Sequence, residues 1–133
     1  MNRFFRIICA LVGLGTASCG QKAYVELSAK QFGQLIQSTP NIQLVDVRTE
    51  EEHRKSRLEH AVLIDINKPE FKQQAERTLR KDHPVAVYCR RGRRSAKAAA
   101  ILAKAGYQVT SLKGGIEAWQ RNEMPVITPK KEQ

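Results

Sequence analysis

The stretch YCRRGRRS, residues 88–95, sets one cysteine ahead of four arginines arranged around a glycine. A thiol reacts as its thiolate, and neighbouring cations and helix amino termini favour that form. Cys89 follows the apolar run PVAVY, residues 84–88, and precedes the alanine-rich SAKAAAILAKAG. It therefore stands where a strand ends, and Ser95 is expected to begin a helix. A six-residue loop from Cys89 to Arg94, turned over a helix amino terminus, aims backbone amides inward as an anion nest. Gly92 supplies the backbone freedom such a loop needs. An inert buried cysteine fits poorly here, because four adjacent arginines are not buried together without partners.

The elements that position this loop can be read from the pattern on either side of it. YVEL, residues 24–27, alternates as a brief first strand. Ser28 is an N-cap for a helix over residues 29–37, with Phe32, Leu35 and Ile36 on its inner face. IQLVDV, residues 42–47, is a buried strand after the break at Pro40 and Asn41. Thr49 caps a short helix over residues 50–55, whose acidic first turn suits the helix dipole. AVLIDI, residues 61–66, is the next strand, and a helix over residues 69–79 presents Phe71, Ala75 and Leu79 on one side. PVAVY is a strand with proline at its entry. A helix follows over residues 95–105, closed by Gly106, then the strand QVTSL and the helix GGIEAWQRN. Strands alternating with helices imply an α/β domain with a mainly parallel sheet, and ligands of such sheets bind at the carboxyl ends of the strands. Trp119, with Ile116 three residues before it, belongs to the core.

Length and composition are consistent with that assignment. A chain of 133 residues, 41% hydrophobic and 27% charged, has room for one domain with a single core. The formal charge of +10 points to anionic partners. No strand interleaves aromatic with basic residues, which argues against nucleic acid. His53, His60 and His83 are scattered and stand at no ligand spacing to a cysteine, so surface or capping roles are expected and no metal site or cofactor is indicated.

The amino-terminal MNRFFRIICALVGLGTASC has the layout of a secretory leader: Arg3 and Arg6, an apolar run from Ile7, and small residues at the exit. The run is shorter than the roughly 20 apolar residues that cross a bilayer. TASC, residues 16–19, resembles the lipobox of bacterial lipoproteins, with Thr16 where leucine is usual. Two outcomes are open, lipidation of Cys19 or cleavage nearby by an ordinary signal peptidase. The expected organisation is a leader over 1–18, a tether over 19–23, a domain over 24–127 and a polar tail over 128–133. An exported location, periplasmic or at the cell envelope, is expected, with a membrane anchor through Cys19 in the first of these two outcomes. Losing Arg3 and Arg6 leaves a basic domain of +8, whose charge would reinforce a single lipid anchor at anionic headgroups. Cys9 goes with the leader, so Cys89 remains as a lone thiol without an intramolecular partner.

Several segments resemble the rhodanese domain of sulfurtransferases. LVDVRTEEEH, residues 44–53, is similar to the signature after that family's second strand. VAVYCRRGRRS, residues 85–95, is similar to its active-site strand, loop and helix start. The stretch from Ala98 to Val126, with LKGGIEAW, is similar to its carboxyl end. The resemblance implies a three-layer α/β fold with a five-stranded, mainly parallel sheet flanked by helices. It implies that Cys89 takes a sulfane sulfur from a donor such as thiosulfate, holds it as a persulfide, and passes it to cyanide or a thiol. Arg94 would close the loop and help hold the donor, the amides of Arg90 to Ser95, Gly92 among them, would stabilise the persulfide, and Arg90, Arg91 and Arg93 would form a positive rim. Arg91 and Arg93 are more basic than the residues often found there and should favour anionic donors. Asp46 and Arg48 match the family's DVR and would brace the loop. Tyrosine phosphatases and related phosphatases place five residues between cysteine and arginine; four stand here, the sulfurtransferase length. SRLEHA, residues 56–61, departs from the family's glycine- and proline-containing approach to its third strand. A non-enzymatic persulfide carrier or anion-binding module is the second reading.

Overall fold

The computed structural model describes residues 23–129; the expected leader, Cys19, nearly all of the tether and the end of the polar tail lie outside them. Five strands, β1 (Val25–Leu27), β2 (Gln43–Asp46), β3 (Val62–Leu63), β4 (Val85–Tyr88) and β5 (Val109–Leu112), form one parallel sheet in the order β1-β5-β4-β2-β3. Five helices connect or flank them: α1 (Ala29–Ser38), α2 (Glu50–Lys55), α3 (Phe71–Thr78), α4 (Arg93–Lys104) and α5 (Gly115–Arg121). The expected three-layer α/β architecture is the one observed.

Strand parity divides the interior in two. Along β4 and the residue after it, Val85, Val87 and Cys89 join a cluster with Val45, Val47, Val109 and the inner faces of α3 and α4. Ala86 and Tyr88 point the opposite way, into a cluster with Leu44, Phe32 of α1 and Trp119 of α5. Side chains alternate with a period of two, so the valine run PVAVY already assigns Cys89 to the α4 side. Trp119 is buried, meets Phe32 edge-on at 6.3 Å and donates its indole N–H to Pro125 O at 2.8 Å.

Local capping fixes the helices next to the sheet. Ser28 and Gln31 make a reciprocal capping box on α1, as Thr49 and Glu52 do on α2. Several boundaries shift by a residue or two from the sequence expectation, the helix expected over 69–79 among them at Phe71–Thr78, and two of the differences have a clear physical reason. The helix expected to begin at Ser95 begins at Arg93, because Gly92 takes a left-handed conformation (φ 104°) and caps it, which leaves Ser95 inside the first turn. The strand expected over 61–66 narrows to Val62–Leu63 at the sheet edge; the chain still donates Ile64 N–H to Asp46 O and Ile66 N–H to Val47 O, and then turns away at Asn67, whose N–H bonds the Asp65 side chain.

The unusual approach to β3, SRLEHA, folds by two means. Arg57 forms an antiparallel bridge with Ile127, exchanging both backbone bonds, and His60 occupies a left-handed turn position (φ 69°) with its side chain in solvent. A residue with a Cβ in that region carries strain that glycine lacks. His60→Gly is expected to raise the unfolding free energy by roughly 0.5–1 kcal/mol after the greater freedom of glycine in the unfolded chain is offset. Denaturant unfolding measures it, and an unchanged or lower value would show that the turn is unstrained.

Candidate functional site

Cys89 emerges from β4 almost fully buried, at 1% exposure. The chain then doubles back, and Gly92 donates its N–H to Cys89 Sγ at 3.0 Å before α4 starts. The thiol donates to Ser95 Oγ at 3.4 Å, and Ser95 Oγ donates to Gly92 O at 3.2 Å. Ser111 of β5, buried beside them, donates to Ser95 Oγ at 3.0 Å. The other wall of the loop comes from α5. Ile116 N–H bonds Cys89 O at 2.9 Å and Glu117 N–H bonds Arg90 O at 3.1 Å. Gly115 (φ 64°) makes this approach possible: a Cβ there would lie 2.6 Å from Arg91 N and closer still to the Arg90 carbonyl.

The four arginines divide by partner. Arg94 places both guanidinium ends on Glu52, at 2.7 and 2.8 Å, where the same carboxylate also completes the cap of α2. That bond, opposed by partial burial and helped by Thr49, holds the Glu52 carboxyl down at about 2. Arg90 and Arg91 share Glu117, at 2.9 and 3.3 Å. Arg93 is exposed and makes no ion pair among the described residues. The expected rim of Arg90, Arg91 and Arg93 is thus on the surface, with two of its cations leaning on a carboxylate, while Arg94 faces α2.

Behind the loop lies a buried carboxylate. Asp46 Oδ1 accepts from Arg48 N–H and Nε at 3.0 and 2.9 Å, and Oδ2 from Arg48 Nη2 at 2.8 Å and Tyr88 Oη at 3.0 Å. His53 Nδ1 stands 2.9 Å from the same Oδ2. Arg48 Nη2 continues to Ser56 O, and Tyr88 Oη accepts Leu58 N–H at 3.1 Å. Burial, then the Asp46 charge, pushes the Tyr88 phenol well above its ordinary value. Asp46 and Arg48 do not bond the loop directly. They hold α2 through His53, and α2 holds the loop through Glu52 and Arg94.

His53, expected at the surface or in a cap, is instead a partner of this carboxylate, with 16% of its side chain exposed. Glu52, Ser111 and Glu117 were missed as well. For Glu52 and His53 a signal existed: a one-turn helix immediately after the strand that ends in Asp46 returns its side chains to that strand's end. Four arginines near one thiol also call for carboxylates.

The residues 28–122 match the family model described as the rhodanese-like domain. A sulfurtransferase of Allochromatium vinosum is 32% identical over 105 residues, 78% of this chain and 95% of that protein. The thiosulfate sulfurtransferase GlpE of Actinobacillus succinogenes is 39% identical over 108 residues, 80% of this chain and 93% of that protein. Among solved structures, a rhodanese-related protein from Thermoplasma volcanium superposes with a TM-score of 0.70 at 26% identity, covering 80% of this chain and all of the other. The polysulfide-sulfur transferase of Wolinella succinogenes shares the fold at a TM-score of 0.68 and 23% identity, over 98% of this chain and 94% of its own. With the cysteine loop, its capping helix and the matched length all in agreement, the chain belongs to the rhodanese-like family.

Proposed function

We propose that this chain is a sulfurtransferase that carries sulfane sulfur as a persulfide on Cys89, with thiosulfate as the anionic donor and cyanide or a thiol as acceptor. The observation that carries this reading is the Gly92 N–H on Cys89 Sγ within a loop that opens on the amino terminus of α4 and is edged by arginines. The Cys89 thiolate attacks the outer sulfur of thiosulfate; a bond to Cys89 forms, the older S–S bond breaks, and its electron pair leaves with sulfite. Cyanide or a thiolate then attacks the outer sulfur, and the pair of the breaking bond returns to Cys89. Positive charge at Arg93 and around the loop supports binding of a dianion. The added sulfur stands about 2 Å beyond Sγ, which supports transfer from a cysteine that is itself buried.

Incubation with thiosulfate alone should add ~32 Da, one sulfur atom, to the wild type and nothing to Cys89→Ser, and thiocyanate formation from thiosulfate and cyanide should vanish in that variant. Equal activity in Cys89→Ser would sink the mechanism. Absence of the adduct with thiosulfate, but loading from a persulfidated protein, would favour the carrier reading.

The Glu52 and Arg94 pair gives a pH dependence. The Glu52 carboxyl lies at about 2 in the fold, below the ordinary value near 4.3. Its contribution to stability is therefore complete above about pH 4.3 and is lost as pH falls towards 2. Glu52→Gln should make the acid loss of unfolding free energy between pH 4 and 2 shallower, and should lower kcat/KM for thiosulfate at pH 7 by loosening the loop. An acid limb identical to the wild type would show that the pair adds nothing.

The same proposal includes export and anchoring through Cys19, supported by the leader-like sequence that precedes it. Metabolic labelling with palmitate in a bacterial host should mark the wild type and not Cys19→Ala. An unlabelled wild type would remove the anchor.

A further inference from the structure

Ser95 and Ser111 are an unusual pair to bury. Ser95 is fully enclosed in the first turn of α4, where alanine would serve the helix better, and Ser111 is 1% exposed in the middle of β5. Two hydroxyls without an outlet to solvent cost desolvation that a pair of alanines would avoid. Ser111 is opposite Val87 in the parallel register, so it points to the α4 side, behind the thiol. Neither residue touches any arginine or carboxylate of the loop through a hydrogen bond; the two bond each other, Cys89 and Gly92.

We propose that Ser111 and Ser95 form a hydroxyl couple that positions and stabilises the Cys89 thiolate, with Ser95 turning its proton from Gly92 O to Sγ when the sulfur becomes an anion. The inference deepens the sulfurtransferase reading and rests on it for its place in the reaction. Proton counting supports the turn. With a neutral thiol, Cys89 donates to Ser95 Oγ and Ser95 donates to Gly92 O. When the thiol proton leaves, Sγ becomes an acceptor, 3.4 Å from a hydroxyl free to rotate about its C–O bond. The acceptor that Ser95 abandons is not orphaned, because Gly92 O keeps the Ala96 N–H at 3.1 Å. The Ser95 oxygen is not orphaned either, because Ser111 continues to donate to it at 3.0 Å. Ser111 thereby commits its proton to Ser95, so the Ser95 proton goes either to Gly92 O or to sulfur. Sγ then holds two donors, Gly92 N–H from the loop and Ser95 O–H from the helix. Arg94, drawn towards Glu52, supplies positive charge nearby without a bond to sulfur.

The couple acts whenever Cys89 is a thiolate, as attacking group on the donor and as leaving group when the acceptor takes the outer sulfur. Ser111 has no route to the sulfur except through Ser95. The two are positioning residues, and their effects are therefore non-additive.

The test is the rate of Cys89 alkylation by iodoacetamide at pH 7 in the full chain, which requires no sulfur donor or acceptor. Ser95→Ala should slow it about fourfold, the thiolate population falling about tenfold with the loss of one hydrogen bond to a charged group and the more basic thiolate regaining part of that in nucleophilicity, and Ser111→Ala about twofold. The double variant should be no slower than Ser95→Ala. Ser111→Thr should restore the rate towards wild type, whereas Ser111→Val, of the same shape without the hydroxyl, should not; this pair carries the comparison if alanine loosens the sheet. Melting temperatures establish that each variant is folded. In thiosulfate and cyanide turnover, kcat should fall with the KM for thiosulfate unchanged. An unchanged alkylation rate in either alanine variant, a double variant slowed by the product of the singles, or equal rates in Ser111→Thr and Ser111→Val overturns the couple. A wild type without sulfur transfer whose alkylation still follows this pattern overturns the sulfurtransferase reading alone.

Discussion

A carboxylate enclosed by protein must be matched by donors from whatever surrounds it, because an unpaired buried charge costs several kcal/mol. Asp46 is fully enclosed at the carboxyl end of β2, and its donors come from three directions: the next turn of chain at Arg48, the neighbouring strand at Tyr88, and α2 at His53. Satisfying it fixes where α2 lies against the sheet. That placement puts Glu52 within reach of Arg94, and Arg94 fixes the start of α4 over the thiol. The exposed pair of Arg54 and Glu50 on the same helix contributes little by comparison, since water screens it. The geometry of the cysteine loop thus depends on a charge one strand away that meets no part of it.

The balance of charge in the loop is less lopsided than four arginines suggest. Glu52 takes Arg94 out of free circulation and Glu117 takes Arg90 and Arg91, so of the four only Arg93 has no carboxylate partner among the described residues. The side chains of Arg90 and Arg91 are more than half exposed, so their pairing is loose, whereas that of Arg94 is two-pronged and partly sheltered. Arginines of identical type in one short run have three different duties, set by what stands opposite each.

Much of this was legible in the sequence because its signals are local. The count from Cys89 to Arg94, the alternation of PVAVY, the caps at Ser28 and Thr49 and the helix-forming run after Ser95 each lie within a few residues, and the order of strands and helices followed from them. What the sequence hid was contact between elements. His53 reads as a surface or capping residue because its partner, Asp46, stands at a strand end that it reaches only after folding. Ser111 read as one more strand residue, since nothing near it in the chain marks the thiol it stands behind. The start of α4 was misplaced by two residues because the left-handed turn at Gly92 serves the loop and the cap at once.

The backbone of the cysteine loop is completed from the far side of the sheet, by the amides of Ile116 and Glu117 and by the bare Cα of Gly115. Those residues come after β5, near the end of the described chain, so the loop takes its shape through contacts distant in sequence, made at the cost of closing a long segment. During synthesis the cysteine leaves the ribosome well before the helix that finishes its surroundings. Until the last helix docks, the loop after Cys89 lacks the amides and the close approach that complete its backbone, so the surroundings of the thiol are finished only with the domain as a whole.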